Sequence, residues 1–349
     1  EDIFALEYAS DVQISPDGSK IVYVRASNDI MTDSTRTSLW LLDVKTGRQL
    51  PLFADKFNYS QPRWSADSKQ LAFISDQSGS RQIYLHYLAE NKTAQLSRLQ
   101  QSPSNLTWAP DGKQLAFLWQ SNALVPYSNS KLKVLNLANK RIDDIAADFD
   151  RSIASPNWLS NSSFVVQYDD QGLRKLASLT AKGKLTDLTA SLGGVSQPQP
   201  YLSGSYTVSD NGVIAYTHGT SQRPSDVAVL QKGKNRVLTA LNDDLLGHKK
   251  LAQVNEIKYK SSFDGEEIQG WYMTPPDFDP TKKYPLLLEI HGGPHLAYGP
   301  HWSAEMQRYA KEGYVVFYDN HRGSSSYGER FAMLLHNKYS SPEDYADHD

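Results

Sequence analysis

A chain of 349 residues, 39% hydrophobic and 21% charged, is long enough for about two domains and too apolar to be disordered throughout. A net charge of −3 offers no basic field to a phosphate backbone or an anionic bilayer, so neither nucleic acid nor a membrane is an expected partner. With no cysteine there is neither a disulfide framework nor a thiolate nucleophile. No apolar run reaches the roughly 18 residues of a spanning helix, and the start at Glu1 has no signal-peptide pattern. A periplasmic or secreted location is the expectation, a cytoplasmic one being compatible.

A repeat runs through the first 215 or so residues. Ile14-Ser-Pro-Asp-Gly-Ser-Lys-Ile-Val-Tyr23 matches Trp64-Ser-Ala-Asp-Ser-Lys-Gln-Leu-Ala-Phe73 and Trp108-Ala-Pro-Asp-Gly-Lys-Gln-Leu-Ala-Phe117. Weaker copies follow at Trp158 and Val208, so successive anchors lie 50, 44, 50 and 50 residues apart. Each copy has an apolar residue ending one strand, a turn rich in Asp, Asn, Gly or Ser, and an apolar β-rich strand, which is a hairpin. Gln82–Leu88 and Ser38–Val44 supply further strands. Four short strands per period of about 45 residues is the pattern of propeller blades, whose faces are buried only by stacking on one another. The expectation is an all-β propeller over 1–250, with five legible blades and six or seven if degenerate copies exist. Trp40, Trp64, Trp108, Trp119 and Trp158 are read as packing between blades.

The polar stretch Asn242–Lys250 reads as a hinge, and a different architecture occupies 251–349. Val254–Ser261 and Glu267–Met273 form a hairpin through Phe263-Asp-Gly265, and Pro275-Pro276 stops the ladder. Tyr284-Pro-Leu-Leu-Leu-Glu-Ile290 is nearly continuously apolar, as in a strand covered on both faces. A helix is predicted from about Trp302 to Glu312, with Gly313 as its stop, before a strand at Tyr314–Tyr318. Strand, helix, strand at this spacing implies a right-handed parallel crossover.

The segment Tyr284-Pro-Leu-Leu-Leu-Glu-Ile-His-Gly-Gly-Pro-His295, followed by Asn320-His-Arg-Gly-Ser-Ser-Ser-Tyr-Gly328, resembles the prolyl oligopeptidase family of serine peptidases, especially its acylaminoacyl-peptidase and bacterial dipeptidyl-peptidase branches. Asp11-Val-Gln-Ile-Ser-Pro-Asp-Gly18 is similar to the first propeller strand of these enzymes. His321 stands where the family usually has Pro, and Ser326 where it usually has Gly. The resemblance implies an incomplete α/β-hydrolase domain after the propeller and a parent enzyme that releases dipeptides or acylated amino acids from short peptides, with the propeller gating the site. In such acyl transfer the carbonyl oxygen becomes an oxyanion, stabilised by the N–H after the nucleophile and an N–H from the loop following the third strand. Gly293 is the first choice for that loop donor and Gly292 the second, since a side chain there would keep the backbone away.

No Gly-x-Ser-x-Gly elbow occurs in the sequence, so the nucleophile, acid and histidine of a triad are not expected in it. Ser326-Tyr-Gly328 lacks the preceding glycine and lies in the wrong connection. The tail Asn337–Asp349 looks like the entry to the helix before a nucleophile strand. The chain alone is therefore expected to be inactive and to need the remaining C-terminal hydrolase segment, without which strands 285–290 and 314–318 would present open edges. The alternative is a noncatalytic propeller binding module with a vestigial hydrolase segment. No cofactor motif is present. His291 and His295 are separated by a non-helical Gly-Gly-Pro, so no metal pair is expected from them. Glu266-Glu267 is read as a solvated pair, and Arg322 as a carboxylate anchor or an ion-pair partner of Asp319. A homo-oligomer is compatible with the sequence.

Overall fold

The computed structural model describes residues 6–121 and 125–348. Twenty strands form five antiparallel four-strand blades. Blade 1 comprises β1 Glu7–Ile14, β2 Lys20–Asp29, β3 Ser34–Asp43 and β4 Gln49–Phe53; blade 2 comprises β5 Tyr59–Trp64, β6 Gln70–Ser75, β7 Gln82–Tyr87 and β8 Lys92–Gln95. Blade 3 is β9 Ser104–Trp108, β10 Gln114–Gln120, β11 Ser130–Asn136 and β12 Ile142–Ile145. Blade 4 is β13 Ile153–Ser160, β14 Ser163–Asp170, β15 Leu173–Thr180 and β16 Leu185–Leu192; blade 5 is β17 Tyr206–Val208, β18 Ile214–Thr220, β19 Arg223–Gln231 and β20 Lys234–Val237. The last two blades are joined by one bridge, Leu192 to His218.

The repeat anchors end the first strand of blades 1, 2, 3 and 5, and in blade 4 the strand runs two residues past Trp158. The fifth residue of the motif, Gly18, Ser68, Gly112 or Gly212, takes a left-handed backbone that lets the chain reverse, and Ser15 and Ser65 close the turn onto Asp17 and Asp67. The tryptophan anchors do more than fill space. Each donates its indole N–H to a carbonyl of the preceding blade: Trp64 to Gln13 at 3.1 Å, Trp108 to Arg63 at 2.9 Å and Trp158 to Thr107 at 3.4 Å.

First strands of neighbouring blades meet around a polar cavity of about 410 Å³ lined by Asp11, Arg63, Asn105, Thr107, Ser155 and Asn157, among others. Three residues before each of the first four anchors, Asp11, Gln61, Asn105 and Ser155 adopt φ of 44° to 52°, a left-handed conformation uncommon for side-chain-bearing residues. Ladder slips at or beside these positions in β1, β5 and β13 show them as bulges. Gln61 Oε1 accepts from Leu106 N at 3.0 Å, and Arg63 pairs with Asp11 at 2.8 Å, so the bulges connect adjacent blades.

Separate apolar clusters lie between blades 1 and 2, 2 and 3, 3 and 4, and 4 and 5. Among the described residues no such cluster joins blade 5 to blade 1. Val12 and Ile14 on blade 1, and Val227 and Leu238 at blade 5, are about half exposed, between 45% and 60%.

Beyond a short helix, α1 Asp243–Leu246, a mixed sheet begins. The hairpin β21 Val254–Lys260 and β22 Glu267–Met273 turns at Gly265; β22 pairs antiparallel with β24 Val315–Asn320, which pairs in parallel with β23 Leu286–Glu289. The helix α2 Ala304–Lys311 connects the two parallel strands and is capped by Ser303 Oγ on Met306 N. Of the two strands expected to have open edges, β24 is central. Only β23 is at the edge, and its expected coverage on both faces is corrected: Leu286 is 66% and Leu288 37% exposed. Two short helices follow, α3 Glu329–Ala332 and α4 Pro342–Tyr345. No helix among the described residues is long and apolar enough to cross a membrane.

The mixed sheet docks on blade 4 through glycine backbone. A Cβ at Gly172, where φ is +72°, would lie 2.5 Å from the Trp271 ring, and one at Gly299 would lie 2.0 Å from the Gly172 carbonyl. Gly172→Ala combines left-handed strain with this clash and should lower unfolding free energy by about 1–3 kcal/mol in urea titrations. Trp64→Phe, which keeps the ring and loses the indole donor, should cost about 1 kcal/mol, and Trp64→Ala about 3–5 kcal/mol. Equal losses for the two Trp64 variants would mean that packing contributes nothing.

Candidate functional site

The His-Gly-Gly-Pro segment leaves the C-terminal end of β23. Gly292 and Gly293 are both exposed, and neither N–H donates a hydrogen bond to a described residue. Gly293 has φ +129°, with Leu296 at 3.0 Å from a Cβ placed on it, so this position requires glycine. A Cβ on Gly292 meets no atom within 4 Å. Gly293 is therefore required by its own backbone and by Leu296, a reason separate from the one anticipated, and Gly292 has open space in front of it.

The flanks of this loop are rigid. Asn320, at the end of β24, binds Tyr298 like a strand partner, accepting from its N–H at 2.8 Å and donating to its carbonyl at 2.9 Å. His291 is buried, and its Nε2 lies 2.9 Å from Ser324 Oγ, which itself donates to the His321 carbonyl at 2.6 Å. On the other side of the ring, His291 Nδ1 faces the Gly292 carbonyl at 3.1 Å. Burial, with His321 beside it, pushes His291 down to about 4, so its ring is neutral near pH 7. Propeller side chains sit alongside: Tyr127 rings His295 at 5.3 Å, and Tyr201 lies edge-on to His291 at 6.4 Å.

Ser326 is a clamp. Its backbone φ is +82°, it is buried, its Oγ accepts from Gly172 N at 3.0 Å, and its carbonyl accepts from Gln171 N at 3.0 Å. The left-handed backbone accounts for the glycine common at this place in similar sequences. Arg322 does not pair with Asp319. It is 1% exposed and forks onto Asp347 through Nε and Nη2, each at 2.9 Å, with a further contact to Asp264 at 3.0 Å. These partners hold it fully cationic. Glu267 is exposed beside Lys258, as expected of a solvated side chain, whereas Glu266 is mostly covered and held by a two-point ion pair with Arg330. His291 and His295 do not converge: His295 Nδ1 faces the Gly323 carbonyl at 3.0 Å.

Sequence reasoning missed one grouping. Asp319 and His321, two apart at the end of β24, meet His348 from the tail, with ligand-type atoms all within 4.8 Å. Alternate strand residues share a face, which was the available signal, but His348 carries none.

A propeller whose chain passes into the hairpin, crossover and glycine loop of an α/β-hydrolase-type sheet is the arrangement this chain presents. The model of the PD40 TolB beta propeller domain matches residues 11–202, and the chain belongs to that family. An uncharacterised peptidase of Bacillus subtilis, YuxL, is 24% identical over 99% of this chain and 74% of its own length. That match extends over 487 positions, more than this chain contains, so the relative carries segments without counterpart here. Dipeptidyl-peptidase 5 of Porphyromonas gingivalis is 24% identical over 79% of this chain and 41% of its own length, and its Aspergillus niger namesake matches over 34% of its length. The chain thus spans well under half of these two relatives. Among solved structures, puromycin hydrolase superposes with a TM-score of 0.69 at 16% identity, covering 97% of this chain and 54% of that one. Acylaminoacyl peptidase of Pyrococcus horikoshii superposes at 0.51 with 16% identity, over 99% and 70%. These superpositions define a shared fold.

His301 lies where the domains meet, its ring against Gly193 and Gly299. Burial lowers it to about 4. Unfolding frees this ring to titrate near its ordinary 6.5, so the unfolded chain binds more protons between those values. Its contribution is complete above about pH 6.5 and is lost as pH falls through about 4, by up to about 3 kcal/mol. Urea unfolding at pH 7 and pH 4.5 should show a smaller pH difference for His301→Gln than for the wild type. An unchanged difference would assign the acid loss elsewhere. Asp347→Ala should cost about 3–5 kcal/mol by leaving Arg322 buried without its fork, measurable in the same titrations.

Proposed function

We propose that this chain is the propeller and the opening part of the catalytic domain of a serine peptidase acting on short peptides, releasing dipeptides or acylated amino acids. The observation that carries this reading is the loop after β23: two exposed glycine N–H groups with no internal acceptor, on flanks fixed by Asn320 and His291. Donors of this kind, held in place before the reaction, stabilise an oxyanion without reorganising. Gly293 is the primary donor and Gly292 the secondary. Peptidase relatives on the same fold support the reaction class.

In this reading the C-terminal hydrolase segment supplies the nucleophile, acid and histidine and pairs with the open edge of β23. Tyr127 and Tyr201 bring the propeller beside the glycine loop, which supports a role for the blades in limiting access to short peptides. The exposed faces of blades 1 and 5 restrict that gate to the sector the blades cover. A periplasmic or secreted setting suits an enzyme of peptide breakdown.

The 349-residue chain should not react stoichiometrically with a fluorophosphonate probe, whereas the chain extended through a Gly-x-Ser-x-Gly elbow should. Stoichiometric labelling of the shorter chain would sink the assignment of the nucleophile to a later segment. In the extended enzyme, Gly293→Ala should lower kcat about 10²–10³-fold with little change in KM for a dipeptidyl substrate. An equal loss in KM alone would make the loop a binding element.

A further inference from the structure

We propose that Asp319, His321 and His348 form a binding site for a divalent first-row transition metal, zinc foremost. Asp319 Oδ1, His321 Nδ1 and His348 Nδ1 are each buried without a hydrogen-bond partner. Asp319 is 0% and His321 4% exposed, so leaving these atoms unpaired is costly. Yet all three point into one space: Asp319 Oδ1 is 3.7 Å from His321 Nδ1, and Asp319 Oδ2 is 3.3 Å from His348 Nδ1. The candidate ligand atoms lie within 4.8 Å of one another, so shifts of a few tenths of an ångström would bring them to about 2.0–2.2 Å from a common ion.

The donor set selects the metal class. Two imidazole nitrogens and one carboxylate suit zinc and its neighbours, whereas magnesium and calcium call for an oxygen cage. Three protein ligands leave a fourth position for water, with His348 on the more open side. The carboxylate is held from behind: Tyr259 donates to Asp319 Oδ2 at 2.5 Å, the kind of outer contact that orients a metal ligand.

An ion pair between His348 and Asp319 is the competing arrangement. It would satisfy one imidazole and leave His321 Nδ1 facing a carboxylate oxygen 3.7 Å away, too far for a hydrogen bond. One cation satisfies all three atoms at once. It would fasten the tail that follows α4 to the end of β24, next to the glycine loop, since the His321 and His291 rings are 4.6 Å apart. The inference does not depend on the peptidase reading, because it uses only residues present in this chain.

The test uses the untagged 349-residue chain, stripped with chelator and shown to be folded by circular dichroism. Titration with cobalt(II) should give one equivalent of bound metal with visible d–d absorption that zinc abolishes. His348→Ala and His321→Ala should each weaken binding about tenfold or more, while His336→Ala, a tail histidine outside the cluster, should not. Zinc, and not magnesium, should raise the melting temperature of the wild type. A folded wild type that binds neither cobalt nor zinc overturns the site, as does binding unaltered in both cluster variants. If either variant fails to fold, the wild-type melts decide: no zinc-specific rise overturns the proposal.

Discussion

A four-stranded blade carries apolar side chains on faces it has no means of covering, and the stacking of one blade on the next removes them from water. The indole N–H groups of Trp64, Trp108 and Trp158 fix that stacking in register, because each must reach a particular carbonyl on the blade before it. Everything else in the propeller follows from this contact. The bulges at Gln61 and Asn105, the Arg63–Asp11 pair and the polar cavity they line exist because the first strands are brought side by side. The mixed sheet depends on it too, since Gly172 and Gln171, which receive Ser326 and Trp271, are presented by the β14–β15 turn of a stacked blade.

The glycine loop inherits its rigidity from both sides. Asn320 and His291 fasten it to the sheet, and Tyr127 and Tyr201 approach from the propeller. Two unpaired N–H groups on an otherwise tied loop form a local concentration of positive dipole. In the proposed reading, this is the dipole that meets the developing negative charge.

Sequence made the blades legible because their turns demand unusual backbone: Asp-Gly and its variants recur at a fixed distance from an apolar anchor, and local chemistry repeats wherever local geometry does. The hairpin at Gly265, the helix stopped by Gly313 and the strand leading to His291 were legible from their turns and apolar runs. The left-handed residues three positions before each anchor were not, because Asp11, Gln61, Asn105 and Ser155 have only polarity in common. Long-range partners were hidden altogether. Nothing near Arg322 marks Asp347 as its counter-ion 25 residues on, and Ser326 reads as a nucleophile decoy until Gly172 is placed against it. Coverage of β23 was overestimated, since a run of leucines reports apolar character without saying which neighbour supplies the second face.

The tryptophan contact is also a grammar with direction. Blades 2, 3 and 4 each address the one before by the same donor and by the carbonyl of the residue just before the previous anchor, so the contact is written once and reused. A length of about one period can then be gained or lost between them while both new neighbours find the contact they expect. Blade number in such a chain is a variable that inheritance can change in whole steps.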